Sequence, residues 1–189
     1  MSLKKKILFL TITVSIIFVV CFGAIFAKWY TFNVLYPIKY QEIVIENSNK
    51  YGIDKYIVFA VINVESSFKE NAKSNKGANG LMQLTKSTAD YVSKLYSIPY
   101  EDIFEPKSNI SLGCAYINYL SNIFKNIETA LIAYNAGEGN VKSWLKNHPN
   151  PNNTIEIEKI PFLETREYIK KVRKSFEKYK KLYGYILDK

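Results

Sequence analysis

Glu65 ends an apolar run, Tyr56-Ile57-Val58-Phe59-Ala60-Val61-Ile62, in the stretch "VINVESSF" at residues 61–68. A carboxyl at the end of a helix that must be buried has a chemical consequence. Burial disfavours the ionised form, and so does the negative end of the helix dipole, so a raised pKa is expected. A carboxylic acid still protonated near neutral pH is what a general acid requires. Helix position alone leaves a second reading open, in which Glu65 lies on an exposed last turn and pairs with Lys69.

The other reactive residue types are few. His148, in the loop "NHPNPNN", is the one histidine, and its simplest reading is a solvated loop residue. Cys21 falls in an apolar N-terminal segment and Cys114 in a mostly apolar helical stretch. No disulfide within the soluble part is therefore expected, and Cys114 reads as a small core residue. Zinc sites and Ser-His or Cys-His nucleophiles have little support from this inventory.

The elements that must position Glu65 read as helices. Apolar spacing and local signals predict helices over Ile38–Tyr51, Lys55–Ser66, Lys86–Tyr96, Lys107–Phe124, Ile127–Ala136, Glu138–Lys146 and Glu164–Leu182. Gly52 follows the first, Asp54 can cap the second, Pro99 and Pro106 interrupt, and Gly137 closes the fifth. In the last, Tyr168, Val172, Phe176 and Tyr179 recur at helical spacing. Only "NTIEIEKIPF" alternates like a strand, and "KENAKSNKGANGLMQLTKS" reads as a polar loop that turns back into buried structure. The class is all-α.

Ahead of these helices, Ile7 to Ala27 is an uncharged run preceded by Lys4, Lys5 and Lys6. Its 21 residues would make a helix of roughly 31 Å, enough to cross a bilayer core. The lysines favour a cytoplasmic N-terminus, which places the remainder outside the cytoplasm. A cleaved signal peptide is the alternative, with Ala27 near the cut, although its apolar core is usually shorter. Val20 before Cys21 fits a lipoprotein signal poorly. The formal charge is +9, and Ile169 to Lys189 holds eight basic residues against two acids. Such a surface suits polyanions: nucleic acid, anionic lipid or an anionic cell wall. An exterior location makes nucleic acid the least suited of the three.

"VINVESSF", "SNKGANGLMQL", "ALIAYNAG" and "IPFLETREYIKKV", in that order, resemble one family. They are similar to the lytic transglycosylases of the lysozyme superfamily, in the branch of the soluble lytic transglycosylase catalytic domain. The resemblance spans Val61 to Val172. It implies a lysozyme-like all-α domain over residues 29–189 behind an N-terminal transmembrane anchor over 1–28. It also implies a lyase acting on peptidoglycan glycan strands, with no metal and no organic cofactor. Glu65 matches the catalytic glutamate, which protonates the glycosidic oxygen between N-acetylmuramic acid and N-acetylglucosamine. The same carboxylate then takes the proton of the muramic 6-hydroxyl, leaving a 1,6-anhydro sugar. One acid suffices because the substrate supplies the nucleophile, whereas most glycosidases need two.

The same resemblance assigns Ser74, Gly80, Met82, Gln83, Tyr134, Asn135, Glu164 and Tyr168 to the glycan cleft, with the Tyr134 hydroxyl meeting the catalytic carboxyl. Each has a plainer reading. Gln83 could bond loop backbone, Gly80 could serve a turn, Tyr134 could be a core tyrosine, and Glu164 could stabilise a helix N-terminus. The chain departs from the family after "GLMQ", where Leu84, Thr85 and Lys86 stand in place of an apolar residue, Met and Pro. Hydrolysis by the same fold, or a non-catalytic glycan-binding module of an envelope assembly, are the alternatives.

Overall fold

The computed structural model describes residues 2–147 and 149–188, with the side chains of Lys5 and Leu8 left aside. His148 lies outside the described residues. The chain divides into two units between Ile38 and Lys39, ten residues beyond the boundary read from hydropathy.

The first unit is one helix, α1 (Leu3–Tyr30), continued by a π-helical turn over Thr31–Leu35. Its apolar side chains point outward, Phe9, Phe18 and Ile25 among them. Phe9–Leu35 is long and apolar enough to cross a membrane. The ends differ from the uncharged run because the helix continues through Trp29 and Tyr30 into the π turn.

The second unit is helical around α3 (Lys55–Ser66). Asp54 caps α3 by accepting the Tyr56 amide at 2.8 Å. Tyr56, Val58, Phe59, Ala60, Val61 and Ile62 are all buried. α3 packs principally against α8 (Leu163–Leu187) and also against α2 (Gln41–Tyr51). Phe59 stacks on Tyr179 of α8 at 5.5 Å, and the Asn63 amide donates to the Tyr179 hydroxyl at 2.9 Å. Ser67 and Phe68, both left-handed at φ 50° and 60°, end α3 just past Glu65 and turn the chain away.

Beyond α3 come α4 (Lys86–Tyr96), α5 (Pro106–Phe124), α6 (Ile127–Ala136) and α7 (Glu138–Asn147). α5 is a second buried axis that packs on α2, α4 and α6. Cys114 lies on it, fully buried. Pro106 starts this helix instead of interrupting the chain, because a first-turn position needs no amide hydrogen. α8 runs five residues past its expected end, since Tyr179 and Tyr183 extend its buried stripe and Asp188 pairs with Lys55 at 2.7 Å and Tyr56 at 2.8 Å.

Two loop expectations are corrected. The polar loop after α3 holds a short antiparallel hairpin, β1 (Ala78–Asn79) and β2 (Leu84–Thr85). The alternating "NTIEIEKIPF" is not a strand but contains a 3₁₀ turn, Ile157–Lys159. Three residues make one 3₁₀ turn, so Ile157 and Ile160 face the core together.

Asn109 of α5 holds the hairpin in place. This fully buried side chain accepts the Met82 amide at 2.7 Å and donates to the Asn79 and Ile103 carbonyls at 3.1 and 2.8 Å. Gly80, at φ +78°, lies against it, and a Cβ there would strike the Asn109 side chain and come within 2.9 Å of the Ile103 carbonyl. Asn109→Ala leaves buried backbone groups unpaired, and should lower unfolding free energy by about 3 kcal/mol. Urea titration would show it as a lower midpoint at unchanged slope.

Candidate active site

Glu65 is half-buried on the last turn of α3, facing Tyr134 of α6 and Glu164 and Tyr168 of α8. Burial pushes its carboxyl from an ordinary 4.5 up to about 7. A hydrogen-bonding interaction with the Tyr168 hydroxyl pulls the other way, and the Glu164 carboxylate adds to the rise.

The two tyrosines act in opposite senses. The Tyr134 hydroxyl gives its one proton to the Met82 carbonyl at 2.7 Å. Toward Glu65 it can therefore only accept, which suits the protonated acid. The expected meeting of hydroxyl and carboxyl is thus electrostatic, since the proton goes elsewhere. Tyr168 is buried, and its hydroxyl makes no hydrogen bond of ordinary geometry. It remains close enough to Glu65 to favour the carboxylate. Burial holds both phenols well above their usual range, so both keep their protons.

The other sequence-expected residues divide into framework and wall. Met82 is fully buried, and its sulfur packs where Gly113 leaves room, so its side chain builds the floor and does not reach a ligand. Gly80 is likewise buried. Gln83, left-handed at φ 50°, donates its amide to the Ala72 and Gly80 carbonyls at 3.1 and 2.9 Å. Only its carbonyl oxygen remains to face a ligand. Ser74 accepts the Lys76 and Ala78 amides at 3.2 and 3.0 Å, shaping the loop and keeping its own proton to donate.

Two cavities open beside Tyr134 and Glu164, the residues that act electrostatically with Glu65. One, of about 260 Å³, is lined by Gln83, Thr85, Tyr116, Tyr134 and Asn135. The other, of about 190 Å³, is lined by Lys76, Asn135, Phe162, Glu164 and Thr165. Asn135 and Ala136 belong to both walls, so they form one cleft. Asn135 accepts the Thr165 hydroxyl at 2.8 Å. Thr85, the departure from the family pattern, caps α4 by accepting the Thr88 amide at 3.2 Å. Lys76 pairs with Glu164 at 2.5 Å across the cleft mouth, with both side chains mostly exposed.

Sequence reasoning missed Lys76, Asn109, Tyr116 and Thr165. Asn109 left a trace, as a polar residue on an otherwise apolar helix face. The others left none, because their partners lie far along the chain, 88 residues away for Lys76.

Residues 42–157 match the model of the Transglycosylase SLT domain. The chain belongs to this family. Its soluble lytic murein transglycosylase relative from Salmonella typhimurium is 36% identical over 143 residues, covering 72% of this chain and 22% of the relative. Membrane-bound lytic murein transglycosylase C of Edwardsiella ictaluri is 30% identical over 169 residues, covering 76% and 47%. The crystal structure of the 70 kDa soluble lytic transglycosylase of Escherichia coli superposes with a TM-score of 0.72 at 32% identity, over 79% of this chain and 25% of that one. An inactive glutamate-to-glutamine variant of lytic transglycosylase Slt from Pseudomonas aeruginosa gives the same TM-score at 34% identity, over 78% and 25%. The chain thus spans a quarter or less of the soluble relatives and about half of the membrane-bound one. The expected all-α, lysozyme-like fold is the fold of this SLT family.

The raised pKa also fixes a stability trend. Unfolded Glu65 titrates near 4.5 and folded Glu65 near 7, so between these values the folded state holds more protons and stability falls as pH rises. Glu65→Gln removes that loss. It should be more stable than wild type at pH 8 by roughly 2 kcal/mol, allowing for partial solvent access, with the difference shrinking toward pH 4.5. Thermal unfolding at the two pH values measures it.

Proposed function

We propose that the helical unit is a peptidoglycan lytic transglycosylase domain. It cleaves the bond between N-acetylmuramic acid and N-acetylglucosamine and leaves a 1,6-anhydro muramic end. One observation carries this reading: a half-buried carboxyl, titrating near neutral pH, between a tyrosine that can only accept from it and a tyrosine placed to donate to it. The curated relatives are named as lytic murein transglycosylases, which supports the same reading.

In the first step Glu65 gives its proton to the glycosidic oxygen, and the N-acetylglucosamine side leaves as an alcohol. The substrate acetamido group stabilises the electron-poor muramic C1. Tyr168 then stabilises the Glu65 carboxylate, which takes the proton of the 6-hydroxyl as that oxygen bonds to C1. Glu65 ends protonated and no water is consumed. Gln83, Asn135 and Ser74 offer polar groups along the cleft, while Gly80 and Met82 hold its floor.

Glu164 favours one second reading. Its carboxylate is near enough to Glu65 to raise that pKa, and a second carboxylate is what hydrolysis by this fold would use. Its ion pair with Lys76 weighs against that role. Products lighter by one water than hydrolysed muropeptides are expected in mass spectra, and a hydrolysed set would transfer the assignment to a muramidase. Glu65→Gln should lose at least about 100-fold in clearing of wall suspensions. Wild-type activity should fall above about pH 7 as the acid ionises.

Membrane anchoring through residues 1–28, with the helical domain outside the cytoplasm, completes the proposal. The exposed apolar surface of α1 and the basic Lys4, Lys5 and Lys6 ahead of its apolar run support it. A reporter fused after Lys189 should be active outside the cytoplasm, and activity confined to the cytoplasm would reverse the topology.

A further inference from the structure

The cleft does not stop at Glu164. Phe162 lines the cavity beside Glu164, and its ring meets Trp144 of α7 edge-to-face at 5.1 Å. Trp144 in turn lines a third cavity of about 350 Å³, with Asn150, Thr154, Glu156 and Lys159 around it. Phe162 is 44% exposed and Trp144 half-buried, and their ring contact is what links the cavity beside Glu164 to this one, the two sharing no lining residue.

We infer that the Trp144 cavity is a distal subsite for the same glycan strand, binding an N-acetylated sugar beyond those held around Glu65. This rests on the proposed glycan specificity of the cleft. The chemistry on the walls fits such a sugar. The apolar face of a pyranose packs on an aromatic ring, and its hydroxyl and acetamido groups need donors and acceptors at the rim. The rim provides both. Asn150 lines the cavity, its side-chain amide donating to the Thr154 carbonyl at 2.8 Å and its oxygen accepting the Thr154 amide at 2.9 Å. Glu156 and Lys159 pair at 2.8 Å with both side chains more than half exposed, an ion pair weak enough to yield to a ligand. Continuity with the catalytic cleft selects a strand already lying in it over an unrelated ligand.

The sequence has two tryptophans, Trp29 and Trp144. In full-length Trp29→Phe/Glu65→Gln protein in detergent, emission reports Trp144 alone and the sugar is not turned over. Titration with chitohexaose should shift or quench that emission to saturation. Trp144→Ala in the active protein should reduce kcat/KM on long glycan strands about tenfold and leave turnover of short fragments nearly unchanged. Lys159→Ala, at an exposed side chain of the Trp144 cavity, should produce a length-dependent loss in the same direction if Trp144→Ala does not fold. Chitohexaose binding seen by calorimetry with unchanged emission would overturn the subsite and leave the cleft assignment intact. No detectable binding, with wild-type wall clearing preserved, would also overturn the subsite. Wild-type protein that clears no wall material would instead sink the catalytic reading.

Discussion

Burial of α3 is the constraint from which the site follows. Its larger apolar side chains contribute about 2 kcal/mol each on leaving water, so the helix is buried along nearly its whole length. Glu65 shares that helix and cannot be buried separately from it. Depriving one carboxyl of part of its solvent costs roughly 2 kcal/mol at alkaline pH, much less than the packing it accompanies. The same packing that stabilises the domain thus keeps an acid protonated near pH 7.

A general acid must also release its proton and function as a carboxylate. In the proposed reaction Tyr134 serves the protonated state as an acceptor and Tyr168 the carboxylate as a donor. Tyr134 is confined to its role by the Met82 carbonyl, which takes its only proton. That carbonyl stays in place because Asn109 holds the Met82 amide and Gly80 allows the hairpin to approach. A buried asparagine on α5 and a tyrosine on α6 are thus joined through the two ends of Met82, the amide and the carbonyl.

The cleft walls are less rigid than its floor. Lys76 and Glu164 meet as exposed side chains, an arrangement worth little as stability and easily exchanged for a ligand. The Trp144–Phe162 pair lies beyond them, with Trp144 on a helix outside the family motifs and Phe162 at the start of "IPFLETREYIKKV". Acid and floor are set by buried packing, whereas the reach of the groove depends on surface side chains.

Much was legible locally. The apolar period of α3, the caps at Asp54, Gly52 and Gly137, and the stripe of α8 are written within a few residues of where they act. So is the raised pKa of Glu65, because a carboxyl in an apolar helix carries its environment with it. The alternating Ile155-Ile157 segment misled, since period two and a three-residue turn share the same short apolar spacing. The roles within the cleft motifs were also not local. "GLMQ" contains one residue that faces the cleft, one that is floor and one that is a turn, and nothing in its spelling separates them. Sequence alone determined that this chain has a helical domain with one acid on a buried helix. Tertiary structure decided that Tyr134 donates to the Met82 carbonyl, that Lys76 meets Glu164, and that Trp144 packs on Phe162, because each depends on side chains brought together from distant parts of the chain.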